Sequence, residues 1–583
     1  MSHSPANDAQ DFGRFLVKGD AQGEIVSTNV PLSFMMGVNA QSGLIQDEHH
    51  PLRGTSIQNK ILVVPRGRGS CSGSGVIIEM LVNGSAPAAF IFHAREDILT
   101  LGVVLAGTMF SKSIPVVMVE DEQTWASLLM GGMAHISTDG YLDINDDTRV
   151  HLRNPPDTSQ VALSPEDDNM LCGQGCSAAT KLAMQTIVSF AAIQGAASLI
   201  SVSQVHIDAC CYAGKVSLAI PQRLRELGGE FAVPTTCNSL DVDRRRWREL
   251  KADPELSEAS YAIGDHYLAM GAQMSFTCAP YLLDTKPKIG EQVGWGESNA
   301  VVFANSVLGA RTHKYPDYLE VMVALTGRAP YTGCHLLEER APKIGIHVPP
   351  IFTNEVDESV FPLLGYHIGG LVGSSIPIIY GLETSKPITP DLKAFGAGFA
   401  TTSSAPMFHI RGITPEAANY DDEIREVEWV NVKIKDLQIT WHELNTARDP
   451  SADLISLGNP HFTLEEFSTL ANLVRGKKIR KGIVMIITTG RSIYDQAERA
   501  GYIGEIQRFG ASLITDTCWC LLTEPIIPLK AQNIMTNSSK YAHYGPGISR
   551  RRFHFGSLAG CVEVACFGFR SAANLRPPWL FDE

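Results

Sequence analysis

Three cysteines stand alone in short polar settings at the ends of strand-like runs: Cys237 in PTTCNS, Cys278 in FTCAPY and Cys518 in TDTCWC. Each directly follows a threonine, namely Thr236, Thr277 and Thr517. Thiolates are soft ligands suited to iron–sulfur clusters. Three widely separated thiols of one style point to a site assembled by folding. Cys520, two residues from Cys518, could substitute as the ligand. One of that pair is expected to face away in a strand-like run, with Trp519 between them. The other reading of a lone cysteine is a small buried hydrophobe. Cys210, Cys211, Cys561 and Cys566, in apolar or strand-like company, keep that reading.

A second group is rich in hydroxyls and charge. Residues 67–75 read GRGSCSGSG. The run lacks the Gly-Lys-Ser/Thr ending of a phosphate loop and does not fit GxGxxG. It is either a flexible turn or a loop whose N–H groups, with Ser70 or Ser72, approach a substrate; glycine permits this because it has no Cβ. Downstream, GWGESNA carries Glu297 and Ser298, LGARTHK carries Arg311 and His313, GNPHF carries His461, and TNSSKYAHY carries Ser538, Ser539, Lys540 and His543. Arg311 and Lys540 are natural carboxylate partners, or else surface cations. His206 and Asp208 share one face of a strand, with a histidine satisfied in the core as the alternative. A hydroxyl-bearing loop closing over a thiolate-held metal suits removal of water from a hydroxy acid.

The elements that must position these residues read as α/β. The chain has 583 residues, 44% apolar and 19% charged, which is ordinary globular composition with material for two to four domains. Residues 1–145 form a small unit with strand candidates ILVVP, GVIIEML, AAFIFH and PVVMVE and a helix in DILTLGVVLAGTMF. Polar residues 146–165 are expected to link it to the remainder, and Ser164 ahead of Pro165 starts a helix. Residues 166–583 alternate strand-like runs (SLISVSQVHID, FAVPTT, QMSFTC, AVVFANS, KIGIHV, IPIIYG, VNVKIK, GIVMIITT, SLITDTC) with helical ones (SAATKLAMQTIVSFAAIQ, VDRRRWRELKA). This favours partly parallel sheets, with polar loops converging beyond strand ends. The run Arg244-Arg245-Arg246 reads as a solvated helix face.

The net charge of −14 and the lack of a long basic run argue against nucleic acid and anionic membranes as partners. No stretch reaches the length of a membrane span, and the N-terminus has no apolar signal core, so a cytoplasmic protein is expected. Twelve cysteines without a CxxC pair argue against zinc ribbons, thioredoxin-like sites and ferredoxin-type clusters.

Taken together, GRGSCSGSG, SAPAAFIF and KSIPVVMV resemble the small swivelling domain of the aconitase X family. MSFTCAPYL, GWGESNAVVFANSVLGART, FHIRGITPEA, GNPHFTLEEF, TDTC and TNSSKYAHY resemble its catalytic part, in matching order over nearly the whole chain. The resemblance implies a small swivelling β/α domain fused to a large multi-layer α/β body of the aconitase superfamily. In this family the two parts occur fused or as separate subunits. The fused branch is associated with dehydration of cis-3-hydroxy-L-proline to Δ1-pyrroline-2-carboxylate, and the two-subunit archaeal branch with mevalonate 5-phosphate dehydration. This chain is fused and carries Asn459 where the two-subunit branch usually has a cysteine, so the hydroxyproline branch is expected. The implied cluster is 2Fe–2S, with 3Fe–4S or 4Fe–4S as alternatives, and the implied ligands are Cys237, Cys278 and Cys518. Citrate chemistry is not implied, since the CxxC of ordinary aconitases is absent. The implied base is Ser70, with Arg66 and Arg68 close enough in sequence to lower its pKa. Ser72, Ser298, Ser538 and His206 are expected at the substrate, with Arg311 or Lys540 on its carboxylate. The partner is then a small hydroxy amino acid, and fusion makes a monomer the expected state. An iron–sulfur sensor, an RNA-binding protein and a metal-free scaffold are the rival expectations.

Overall fold

A computed structural model describes residues 11–47, 50–68, 71–145, 147–351, 356–420 and 427–581, without the side chains of Asp11 and Phe12. The small unit is a closed barrel. Its strands are β1 (Asp11–Val17), β2 (Ala21–Ser27), β3 (Ile61–Val64), β4 (Ala89–Phe92), β5 (Val116–Met118), β6 (Gly132–Ser137), β7 (Tyr141–Ile144) and β8 (Thr148–Arg153), in the order β1-β5-β4-β3-β2-β6-β7-β8. Alternation along β3 and β4 sends Ile61, Val63, Ala89 and Ile91 into the barrel. Leu62, Val64, Phe90 and Phe92 point outward against helices α1 (Gly73–Asn83) and α2 (Ile98–Phe110). Both strands are therefore buried along their whole length and read as continuous apolar runs.

That outer cluster continues into the large region, where it includes Phe190, Val205 and Val321. Among the described residues the large region has four sheets. Strands β9 (Leu199–Ser201) and β13 (Arg328–Pro330) form an antiparallel pair. β10 (Val205–Ile207), β11 (Thr235–Cys237) and β12 (Gly294–Trp295) form a parallel sheet in the order β11-β10-β12. β14 (Ile344–His347), β15 (Pro377–Tyr380), β16 (His409–Ile410) and β17 (Glu428–Asn431) run β16-β15-β14-β17. β18 (Leu454–Leu457), β19 (Val484–Thr489), β20 (Ser512–Thr515), β21 (Asn533–Thr536) and β22 (Arg552–Phe555) run β20-β19-β18-β21-β22. All pairings in the last three sheets are parallel. The strand ends therefore gather on common sides, where loops converge.

Several expected elements differ. GVIIEML is helical, not a strand, because α1 is covered by the barrel on one side and the large region on the other and shows no polar face. AVVFANS is helical for the same reason: every residue of Ser298–Phe303 is buried. QMSFTC is irregular, and VNVKIK leaves β17 to enter the helix Ile434–Leu444. Residues 148–153, within the expected linker, form β8 and close the barrel. VDRRRWRELKA is a series of turns rather than a helix. Its arginines are staples: Arg244 donates to Asp265 Oδ1 at 2.7 Å and lies over the Tyr261 ring, Arg245 donates to Thr515 Oγ1 at 2.9 Å, and Arg246 to the Leu513 carbonyl at 2.6 Å. The helix at Pro165 forms as expected, with Ser164 and Asp167 in a reciprocal capping box.

Candidate active site

The three threonines that precede the lone cysteines are each tied to a buried histidine. Thr236 Oγ1 lies 2.8 Å from His206 Nδ1, and Thr277 Oγ1 lies 2.9 Å from His461 Nδ1. His461 Nε2 lies 2.7 Å from the Thr517 carbonyl, so Nε2 carries the proton and Nδ1 accepts from the Thr277 hydroxyl. Burial holds His461 down at about 4 and His206 at about 3, so both are neutral. His461 thus pins the segments bearing Cys278 and Cys518 together. Its backbone N–H also donates to Cys278 Sγ at 3.3 Å.

The consequence is a cluster of thiols. Cys278 Sγ and Cys518 Sγ stand 3.8 Å apart. Cys518 and Cys520 both line the same cavity, while Trp519 between them points the other way and donates to the Leu457 carbonyl at 2.8 Å. The expectation that one of the pair faces away is therefore not met. Asn459 Nδ2 meets Cys520 Sγ at 3.1 Å. Thiol contacts raise Cys518, first through Cys278, and Cys520, first through Cys518. Cys237 lies apart from this wall: it ends β11, fully buried in the apolar cluster that holds Cys210, with which it hydrogen bonds. Among the described residues, no three of His, Cys, Asp and Glu are arranged to hold a metal ion. The thiols of Cys278, Cys518 and Cys520 nonetheless give this wall of the cavity soft donors, which suit an iron–sulfur cluster rather than a hard cation.

Facing the thiols is a charged wall. Lys540, at the start of the helix Ser539–Ser549, donates to Glu297 Oε1 at 3.0 Å. Burial alone would raise Glu297, but the Lys540 ammonium and the Asn299 amide hold it at about 2. Burial alone would lower Lys540, but Glu297 and the nearby cysteines hold it well above the usual lysine range. Glu297 also accepts from Asn238 Nδ2 at 3.0 Å. Gly296 lets Asp208 approach: a Cβ there would sit 2.9 Å from the Asp208 Cβ. The cavity, about 80 Å³, is lined by Ser72, Asp208, Asn238, Glu297, Ser298 and Lys540 together with Cys278, Cys518 and Cys520. Met35, Met36, Thr401 and Tyr544 separate it from an outer cavity of about 420 Å³.

The small unit reaches this cavity through the start of α1. Cys71 Sγ lies 3.6 Å from Ser298 Oγ, the Cys71 carbonyl accepts from the Asp317 N–H at 3.2 Å, and Ser72 hydrogen bonds the Asp317 carboxyl. Ser70 lies outside the described residues. Of the other expected substrate contacts, Ser72, Ser298 and Lys540 line the cavity. Arg311 sits by His335, Ser538 caps the helix that carries Lys540, and His206 packs edge-on to Trp295; none of these three lines it. Arg68 is engaged with Asp47 at 2.8 Å. Asn238 and Asp317 are residues the sequence reading left out, and Asp208, read there with His206 on one face of a strand, was not assigned to the substrate. The signal for Asp208 was its place just past a strand.

The barrel is set against the parallel-sheet body so that hydroxyls and thiols of one meet the thiols and the ion pair of the other. The chain belongs to the aconitase X family. Family models match most of its length as the aconitase X swivel domain (residues 12–144) and the aconitase X first (160–338), second (342–448) and third (452–567) domains. A cis-3-hydroxy-L-proline dehydratase from Hypocrea jecorina is 48% identical over 568 residues, covering 96% of this chain and 95% of its own. One of the same name from Pseudomonas aeruginosa is 43% identical over 584 residues, covering 98% of both. The crystal structure of Thermococcus kodakaraensis aconitase X in its holo form superposes with a TM-score of 0.63 at 29% identity, covering 69% of this chain and all of that one. Family membership and these full-length relatives place the chain among the hydro-lyases.

Proposed function

We propose that this protein dehydrates cis-3-hydroxy-L-proline to Δ1-pyrroline-2-carboxylate. The observation that carries the reading is the meeting of a thiol wall, a buried Glu297–Lys540 pair and the Ser72 and Ser298 hydroxyls in one small cavity at the lobe boundary. The relatives that share nearly the whole length bear that activity in their names. Cys278 and Cys518 are the proposed cluster ligands, and Cys520 is better placed than Cys237 to be the third, since it faces the same cavity. When bound, an iron–sulfur cluster supplies a Lewis acid for a departing hydroxyl.

The chain's own residues supply the rest. Ser70 is the proposed base for the α-proton, next in sequence to the Cys71–Ser72 segment that docks on Asp317. Lys540, kept charged by Glu297, is the proposed partner of the carboxylate, a role in which Arg311 is too remote from the cavity. Ser72 and Ser298 orient the ring. Loss of water leaves an enamine that tautomerises to the cyclic imine without further help. The test is anaerobic purification with iron and sulfide analysis, followed by turnover assays on cis-3-hydroxy-L-proline and mevalonate 5-phosphate. Iron and sulfide in the protein, turnover of the first compound and not the second, and loss of turnover in Ser70→Ala are expected. Turnover of the mevalonate compound alone would reverse the assignment.

A further inference from the structure

The cavity wall holds an acceptor with nothing to accept. Asp208 is 4% exposed; its Oδ1 takes the Asn238 amide, and its Oδ2 has no hydrogen-bond donor. Behind it lies Asp317, 2% exposed, whose Oδ1 also lacks a donor, and the two carboxyls are in hydrogen-bond contact with each other. Glu320 fixes this arrangement from below, its Oε1 accepting the N–H groups of Asp208 and Ala209 at 3.1 Å each. Among the described residues neither Asp208 nor Asp317 makes an ion pair, and the lysine on the same wall is already taken by Glu297. Two buried carboxyls in contact do not both ionise without a cation, so the pair holds one proton, and apart from that proton no residue offers a donor to Asp208 Oδ2. A buried acceptor without a donor costs stability, and such groups persist where a ligand completes them.

We propose that Asp208, backed by Asp317, is the subsite for the ring ammonium of a cyclic hydroxy amino acid. This rests on the dehydratase reading above and deepens it. A secondary ammonium brings both the positive charge and the N–H donors that this corner of the cavity lacks. It leaves Lys540, on the Glu297 side, for the carboxylate. A hydroxy acid without nitrogen, such as a phosphorylated mevalonate, would place no cation against the pair. Asp208 thereby separates imino acids from purely anionic substrates.

Proton linkage supports the same geometry. The titratable groups facing Asp208 are Asp317 and Glu320 from the segment 317–320, Glu297 from beyond β12, Cys210 and Cys211 from its own loop, and Cys71 from the barrel. None is cationic. Burial first, then Asp317 and Glu297, raise Asp208 well above the ordinary aspartate range. An arriving ammonium stabilises the ionised form, so ligand uptake drives the shared proton out to solvent while the ammonium keeps both of its own.

The test is calorimetry on the anaerobically prepared holoenzyme with L-proline, which has no hydroxyl to lose, and with tetrahydrofuran-2-carboxylate, in which a ring oxygen replaces the ammonium. The wild type is expected to favour L-proline by about 10- to 100-fold, the worth of one charge-assisted hydrogen bond. It should also release protons on binding it, seen as a dependence of the heat on the buffer's ionisation enthalpy. Asp208→Asn, which keeps the shape and the Asn238 contact, should lose both the preference and the proton release. The two-ligand comparison on unaltered protein reads the same point should the variant fail to fold. Equal binding of the two compounds by the wild type, or an unchanged preference in the variant, overturns the subsite. Intact preference without hydroxyproline turnover would instead count against the dehydratase reading alone.

Discussion

At the residue scale, the Lys540–Glu297 pair decides whether the cavity is a charged site at all. Both side chains are nearly withdrawn from water, at 16% and 10% exposure. Removing one partner of such a pair leaves the other charge stranded, at a cost of about 3–5 kcal/mol. Lys540→Met is therefore expected to lower the denaturant midpoint markedly and to abolish turnover. Adding Glu297→Gln should recover most of the stability and none of the activity. Denaturant melts of the two variants check this; a Lys540→Met protein as stable as wild type would show the pair to be idle. Lys540, Ser298 and Ser72 were legible in the sequence because each stands in a polar island among strand-like runs. Cys278 and Cys518 were legible for the same reason, but Cys237 looks identical in sequence and differs in space. Side-chain alternation in β11 turns its thiol into the Cys210 cluster, and no local pattern reports which face of a three-residue strand is the wet one. Asp208 was seen on its strand but not as part of a pair, since Asp317 reaches it from 109 positions away.

At the element scale, the helix Pro165–Cys172 shows how a local signal carries a long-range one. Asp167 closes the capping box with Ser164 and also binds Arg328 of β13, at 2.8 and 3.0 Å. Burial opposes ionisation of Asp167, but Arg328 and the cap prevail and hold its carboxyl below the usual aspartate range. A depressed carboxyl contributes stability above its unfolded value, about 4, and loses it as pH falls through the folded one. Asp167→Asn should thus destabilise by about 1–3 kcal/mol at neutral pH and match the wild type more closely in acid. Urea melts at pH 7 and below pH 4 check the sign, and a gap that widens in acid would contradict it. The cap itself was readable from Ser164, Pro165 and the acids that follow. The strands were readable where β-branched runs end in turn residues, as in β3, β4, β14 and β19. Helices buried on all sides, α1 and Ser298–Phe303, were not, since they carry no period of 3.6 to read.

At the scale of the whole molecule, the small barrel is both self-contained and attached. Its interior is filled by its own strands, Phe15, Ile25, Val63, Ile91, Val117 and Leu142 among them. Its outer face shares one apolar cluster with the large region, and polar contacts repeat the attachment: Glu79 accepts the Val216 N–H at 2.9 Å, and Gln194 donates to Asp97 at 2.9 Å. Covalent continuity runs through only the short stretch between β8 and the helix at Pro165. The hydroxyl-bearing turn and the thiol wall are thus brought together by packing, not by the linker. Cutting the chain between Pro156 and Asp157 tests this. Co-expressed as two pieces, residues 1–156 and 157–583 should purify together and retain turnover, because the interface that aligns Cys71 and Ser72 with Ser298 and Asp317 is left whole. The effective concentration supplied by the linker is lost, so dilution should reduce activity while excess of the small piece restores it. Pieces that elute separately and stay inactive when mixed would mean that the linker, rather than the shared apolar face, holds the lobes in register.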